Sequence, residues 1–113
     1  MIRSGNWNDL KEKVLREGVS RKAFTGEGAT VAINYFKPGH SVAPHSHEHE
    51  QIAMILQGEA EFHIGDEVVR LSEGGIVVIP PNVEHYLQLV GDKEVVNLDV
   101  FTPKRPEYVE DQE

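Results

Sequence analysis

From Val19 to Phe101 the chain falls into eight stretches of four to eight residues, and this rhythm limits its fold more than any other feature. The stretches are Val19–Phe24, Thr30–Phe36, Gln51–Leu56, Glu59–Ile64, Glu67–Leu71, Ile76–Ile79, His85–Leu89 and Glu94–Phe101. Between them stand runs such as Thr25-Gly26-Glu27-Gly28, Lys37-Pro38-Gly39, Gly65-Asp66, Pro80-Pro81-Asn82 and Gly91-Asp92, whose residues bend a backbone at little steric cost. Short segments that recur about every 8–12 residues with turns between them predict an all-β sandwich or barrel. Only Met1–Gly18 reads as helical. There Asn8 or Asp9 is placed to cap a short helix, Leu10 and Val14 are spaced i, i+4, and Gly18 is placed to end it. The expected organisation is an N-terminal arm or short helix over residues 1–18, a barrel over 19–105 and an acidic tail over 106–113 that frays at its end. Trp7 is expected to pack on the barrel rather than to bind a ligand.

With 113 residues, 39% of them hydrophobic, the chain holds enough apolar material for one core and too little for two. Nineteen acidic against eleven basic residues give a formal charge of −8, which argues against a nucleic acid or an anionic membrane as partner. The absence of cysteine excludes disulfides, thiolate ligands and a cysteine nucleophile. The N-terminal stretch has no apolar signal region, and the apolar runs fall far short of the roughly 20 residues a membrane helix needs. The expectation is a cytoplasmic protein.

Chemistry concentrates in Gly39–Gly58, which holds His40, His45, His47 and His49, four of the six histidines. A neutral imidazole offers a lone pair to a metal at physiological pH. In extended chain His45, His47 and Gln51 share a parity and leave the same face. The strand that follows, Gln51–Leu56, is apolar on both faces, so something must cover each of them, and a homodimer is expected. In Glu59–Ile64, by contrast, His63 shares a face with Glu59 and Glu61 and is expected to face solvent. A second segment, Gly74–His85, runs from a glycine turn through a β-branched strand and a Pro-Pro-Asn turn to His85. His85 leads the otherwise apolar face of Leu87 and Leu89, and the first histidine cluster makes a shared metal the better explanation for it.

These two segments resemble the motifs of the cupin superfamily. The first of those motifs reads Gly, five residues, His-x-His, three or four residues, Glu, six residues, Gly. Gly39, His45, His47 and Gly58 fall in register with it, and Gln51 stands in the glutamate place. The second reads Gly, five residues, Pro-x-Gly, two residues, His, three residues, Asn. Gly74, Pro80 and His85 match, Asn82 takes the glycine place, and Leu89 takes that of the asparagine. Asparagine tolerates the left-handed conformation better than most residues, so the first exchange is mild. The resemblance implies a double-stranded β-helix jelly roll with His45, His47, Gln51 and His85 as ligands of one divalent transition metal. Ni, Zn, Mn, Fe and Co all suit three nitrogens and one oxygen. Glutamine leaves the ion its full charge, which favours anionic substrates.

On Glu94–Phe101, Asn97, Asp99 and Phe101 share a face, and an aspartate among apolar neighbours is costly unless it is paired or used. Solvent exposure on an edge strand is the competing expectation. Arg105 is placed either to bind a substrate carboxylate or to be a surface charge. The run from His45 to Gln51, the Asp99-x-Phe101-x-x-x-Arg105 spacing and Val19-Ser20-Arg21-Lys22 are similar to the small cupins of pectin and alginate degradation. That family converts 4,5-unsaturated uronates into linear keto sugars. The likeness implies a small anionic sugar as substrate, with Asp99 as proton carrier, Arg105 as carboxylate anchor and Phe101 as pocket wall. A cupin dioxygenase, another metal-dependent isomerase or lyase, and a binding domain without turnover are the alternatives.

Overall fold

The structure, a computed structural model, describes residues 2–108. Among these described residues nine strands form two antiparallel sheets: β1 Lys13–Arg16, β2 Val19–Thr25, β3 Thr30–Phe36, β4 Glu50–Gln57, β5 Ala60–Ile64, β6 Glu67–Leu71, β7 Ile76–Ile79, β8 His85–Leu89 and β9 Val95–Thr102. The larger sheet has the order β1-β2-β3-β9-β4-β7 and the smaller the order β6-β5-β8. All eight segments expected from the turn rhythm are strands, and the jelly roll stands.

The N-terminal segment differs from the expected arm or helix. Trp7–Asp9 makes one 3-10 turn, capped by the Asn6 side chain accepting from the Asn8 amide at 2.8 Å. Lys13–Arg16 then pairs with β2 as an edge strand, with Val14 opposite Ser20. Two apolar residues are too narrow a stripe to hold a helix, whereas the exposed edge of β2 offers a ready ladder. Gly18 ends no helix and instead turns β1 into β2 at φ 75°. Trp7 is half-buried beside Leu10, Phe24 and Val31. Of the tail, residues 106–108 make a 3-10 turn, and 109–113 lie outside the described residues.

Alternation decides what each strand sends inward. Val19, Phe36, Ala53, Ile55 and Val95 from the larger sheet meet Ala60, Phe62, Ile64 and Leu87 from the smaller, and these form the main core with Ile79. On β9 the inward row reads Val95, Asn97, Asp99, Phe101, apolar at both ends and polar between. The register explains what that interruption meets. Asp99 stands directly opposite Ala32 of β3 on one side and Ala53 of β4 on the other, both fully buried. These two small side chains leave space over the carboxylate, while the diagonal neighbours on the same face, Asn34 and Gln51, come within reach of it.

Candidate metal centre

His45, His47 and His85 come together at the open end of this interior. The two histidine segments are tied by their backbones: His45 and His85 exchange N–H to carbonyl hydrogen bonds of 3.1 and 2.8 Å, and the Asn82 amide donates to the His47 carbonyl at 2.7 Å. Asn82 holds φ 65°, the left-handed conformation that its glycine-like place requires. Each imidazole is then oriented by a carbonyl. The Nδ1 of His45 donates to the Ala43 oxygen at 2.8 Å, that of His47 to the His49 oxygen at 3.0 Å, and that of His85 to the Val83 oxygen at 2.9 Å. A proton fixed on Nδ1 leaves the Nε2 lone pair for another partner. The ligand atoms of the three residues lie within 4.8 Å of one another, and no other such cluster of three occurs among the described residues.

Two observations test whether these residues fit a cation. The His85 Nε2 is buried and has no hydrogen-bond partner, an orphaned acceptor in a protein interior. The His47 Nε2 also faces the Gln51 Oε1 at 3.1 Å. With the His47 proton on Nδ1, both atoms are acceptors, and a cation between them would turn that repulsive approach into an attractive one. Gln51 is fixed in that orientation from behind, because its Nε2 donates to Asp99 Oδ1 at 2.8 Å and a carboxylate accepts only. Burial pushes the His85 imidazole down to about 4, and burial followed by the Arg105 charge lowers that of His47. Burial thus favours the neutral form of both, the form that binds a metal. Three nitrogens and an amide oxygen fit a divalent transition ion.

Asp99 is buried on a central strand, so solvent exposure at an edge is ruled out. Its Oδ1 accepts from Gln51 and, at 2.8 Å, from Asn97, and its Oδ2 accepts from Asn34 at 2.7 Å. Burial pushes its carboxyl up to about 6 against the pull of these three amides. A cavity of about 240 Å³ touches His45, His85, Gln51, Asp99, Phe101 and Arg105. Arg105 is no free surface charge: its guanidinium lies 4.9 Å from the centre of the Phe101 ring and 4.4 Å from that of Tyr108, and its Nε donates to Glu107 at 3.1 Å. Phe101 is buried against Ala23, Ala32 and Tyr108, 5.6 Å from the His47 ring.

The other histidines stay outside the cluster. His40 accepts from the Leu89 amide at 3.1 Å through Nε2, a structural tie between strand and loop. The His49 ring lies against His47 and Phe101. His63 stacks on Tyr86 at 4.4 Å beside Glu61, half-buried on the outer face. Sequence reasoning missed Asn34, Arg16, Arg21 and Tyr108. Arg21 is buried in the cavity wall with its guanidinium 3.7 Å from the Tyr108 ring centre. It was findable, because Val19, Arg21, Ala23 and Thr25 share one face of β2, and a cation in such a row is out of place. Among the described residues, the cavity is thus lined by three arginines, Arg16, Arg21 and Arg105, and one acidic residue, Asp99, although the chain as a whole is acidic.

Comparison with known proteins agrees with this geometry. The sequence profile of the Cupin domain family matches residues 33–101, a span that includes both histidine motifs. H2HPP isomerase of Bacillus subtilis is 29% identical over 84 residues, covering 74% of this chain and 36% of that protein. Acireductone dioxygenase of Bacillus pumilus is 34% identical over 62 residues, covering 50% of this chain and 35% of its own length. The chain thus spans about a third of the length of these two curated relatives. Among solved structures, KdgF from Halomonas sp. superposes with a TM-score of 0.80 at 28% identity, covering 90% of this chain and 95% of that one. An RmlC-like cupin from Shewanella frigidimarina reaches 0.85 over 96% of this chain and 97% of its own at 19% identity, a likeness of fold.

Proposed function

The chain belongs to the cupin domain family, and from that premise we propose that it is a metal-dependent isomerase that opens 4,5-unsaturated uronates and tautomerises them to linear keto sugars. The observation that carries this reading is the meeting, in one small cavity, of a histidine cluster, a buried carboxylate and an arginine. A divalent ion held by His45, His47, His85 and Gln51 would polarise the oxygens of a bound sugar. Arg105, supported by Phe101 and Tyr108, binds the substrate carboxylate, and its planar fork suits that group. Phe101 walls the cavity and keeps water from the reacting carbons. Asp99 takes the proton of the anomeric hydroxyl. The ring C–O bond then breaks to leave an aldehyde and an enolate, and Asp99 gives that same proton to the enolate carbon as the ketone forms. A carboxyl raised to about 6 is ionised at neutral pH yet basic enough to accept and give back a proton.

Two further features support the reading. The three arginines that line the cavity suit an anionic ligand, and the cavity volume suits a single small molecule rather than a polymer. The likeness to KdgF spans nearly the whole of both chains. The test is the ultraviolet absorbance of 4,5-unsaturated galacturonate, whose ring double bond disappears in the reaction. Wild type with its metal is expected to remove the absorbance, and both the metal-stripped protein and Asp99→Ala are expected to leave it. No loss with any of Ni, Zn, Mn, Fe or Co restored would overturn the uronate assignment. The match to acireductone dioxygenase favours a second reading, oxygenation of a small acid, which predicts oxygen consumption in the iron-loaded protein.

A further inference from the structure

Position 51 carries an amide where a carboxylate would neutralise half of a divalent ion's charge, and a carboxylate, that of Asp99, lies one hydrogen bond behind it. Gln51 reaches forward to His47 with Oε1 at 3.1 Å and backward to Asp99 Oδ1 with Nε2 at 2.8 Å, both through one planar group. Asn97 and Asn34 also donate to the carboxylate, at 2.8 and 2.7 Å, so Asp99 cannot swing away from Gln51 without losing both. Burial of Asp99 keeps bulk water from screening its charge.

We propose that Asp99 is a positioning residue for the metal, acting through Gln51. It aims the amide oxygen at the histidine cluster and supplies, one bond further out, the negative charge that a glutamate at position 51 would supply directly. An amide that donates to an anion gains electron density on its oxygen, which strengthens that oxygen as a ligand. A glutamate placed at 51 with Asp99 unchanged would set two carboxylates in contact, so the two positions are coupled. Gln51 with Asp99, or glutamate at 51 with asparagine at 99, carry the same total charge, and only in the first does the carboxylate remain available for proton transfer. This inference rests on the reading of His45, His47, His85 and Gln51 as ligands.

The test measures affinity of the full chain for Co²⁺ and Zn²⁺ by competition with a chelator, a readout that needs no substrate. Asp99→Asn keeps the shape and removes the charge, and it is expected to weaken binding by about 10- to 100-fold. The double variant Gln51→Glu with Asp99→Asn is expected to recover wild-type affinity to within about threefold while losing ring opening, a rescue that a merely structural role for Asp99 does not predict. Affinity of Asp99→Asn within about twofold of wild type, or a double variant no tighter than Asp99→Asn, would overturn the proposal. If Asp99→Asn fails to fold, the double variant decides: tight binding supports the proposal and weak binding overturns it. A wild type that binds neither ion, or a His85→Ala variant that binds as wild type does, removes the metal reading itself and this proposal with it. An absence of ring opening beside the expected affinities removes only the uronate reading.

Discussion

At Arg105 a single side chain combines several interactions whose separation is measurable. Its guanidinium rests on Phe101 and Tyr108 and donates to Glu107, and its backbone amide donates to the Thr30 hydroxyl at 2.8 Å. The segment is therefore held by more than its charge, and Arg105→Ala is expected to fold. Its loss should appear as a rise of at least about tenfold in KM for the unsaturated uronate, about 1.4 kcal/mol of binding, with a smaller change in kcat. Steady-state kinetics on the absorbance assay check this. Single residues also show where the sequence was legible. His45 and His47 were legible because spacing and parity report which side chains leave one face, and His85 because it leads an otherwise apolar face and falls in register with the second motif. The left-handed Asn82 was found because few residues tolerate that conformation. The burial of Asp99 was not legible, since alternation gives a face but not whether the strand lies at the edge or centre of its sheet. Arg21 and Asn34 carried the same alternation signal, but Arg21 entered only as part of the Val19-Ser20-Arg21-Lys22 likeness, with no role in the site, and Asn34 not at all.

Among the elements, β9 does most to build the site, because it lies between β3 and β4 and brings Asp99 to both. The turn from β4 into β5 packs closely against its start. Gly58 has φ 85°, and a Cβ there would meet the Glu94 carbonyl oxygen at 2.8 Å, just before β9 begins. Gly58→Ala is therefore expected to destabilise the fold by about 1–3 kcal/mol, through left-handed strain and that close approach together. Chemical denaturation of the metal-free protein measures it, and an unchanged midpoint would contradict the account of this turn. Turn residues located the eight later strands because each turn is a local demand on the backbone. The strand β1 was missed because nothing local demands it: Lys13–Arg16 has too short a pattern to choose helix or strand, and the open edge of β2 makes the choice.

For the molecule as a whole, the outer face of the larger sheet remains to be explained. Ile52 and Leu56 of β4 and Ile76 and Val78 of β7 are exposed by 38%, 48%, 68% and 52%, and Ile52 lies opposite Val78 in the ladder. This is the second apolar face of Gln51–Leu56 that the sequence left uncovered. The proposal is that a second copy of the chain covers it, since isolated exposed apolar residues are ordinary but a continuous sheet face is not. Ile76→Glu is then expected to convert a particle of two chains into one, read by light scattering after size exclusion. A wild type that runs as a single chain would contradict the dimer. The metal requirement is the claim on which the functional account depends, and the count of ions per chain tests it most directly. Protein stripped with a chelator, reloaded with one divalent metal and freed of excess should hold one ion per chain by elemental analysis, and His47→Ala and His85→Ala should hold almost none. Equal loading of wild type and both variants, or no retained ion with any of Ni, Zn, Mn, Fe and Co, would contradict the account.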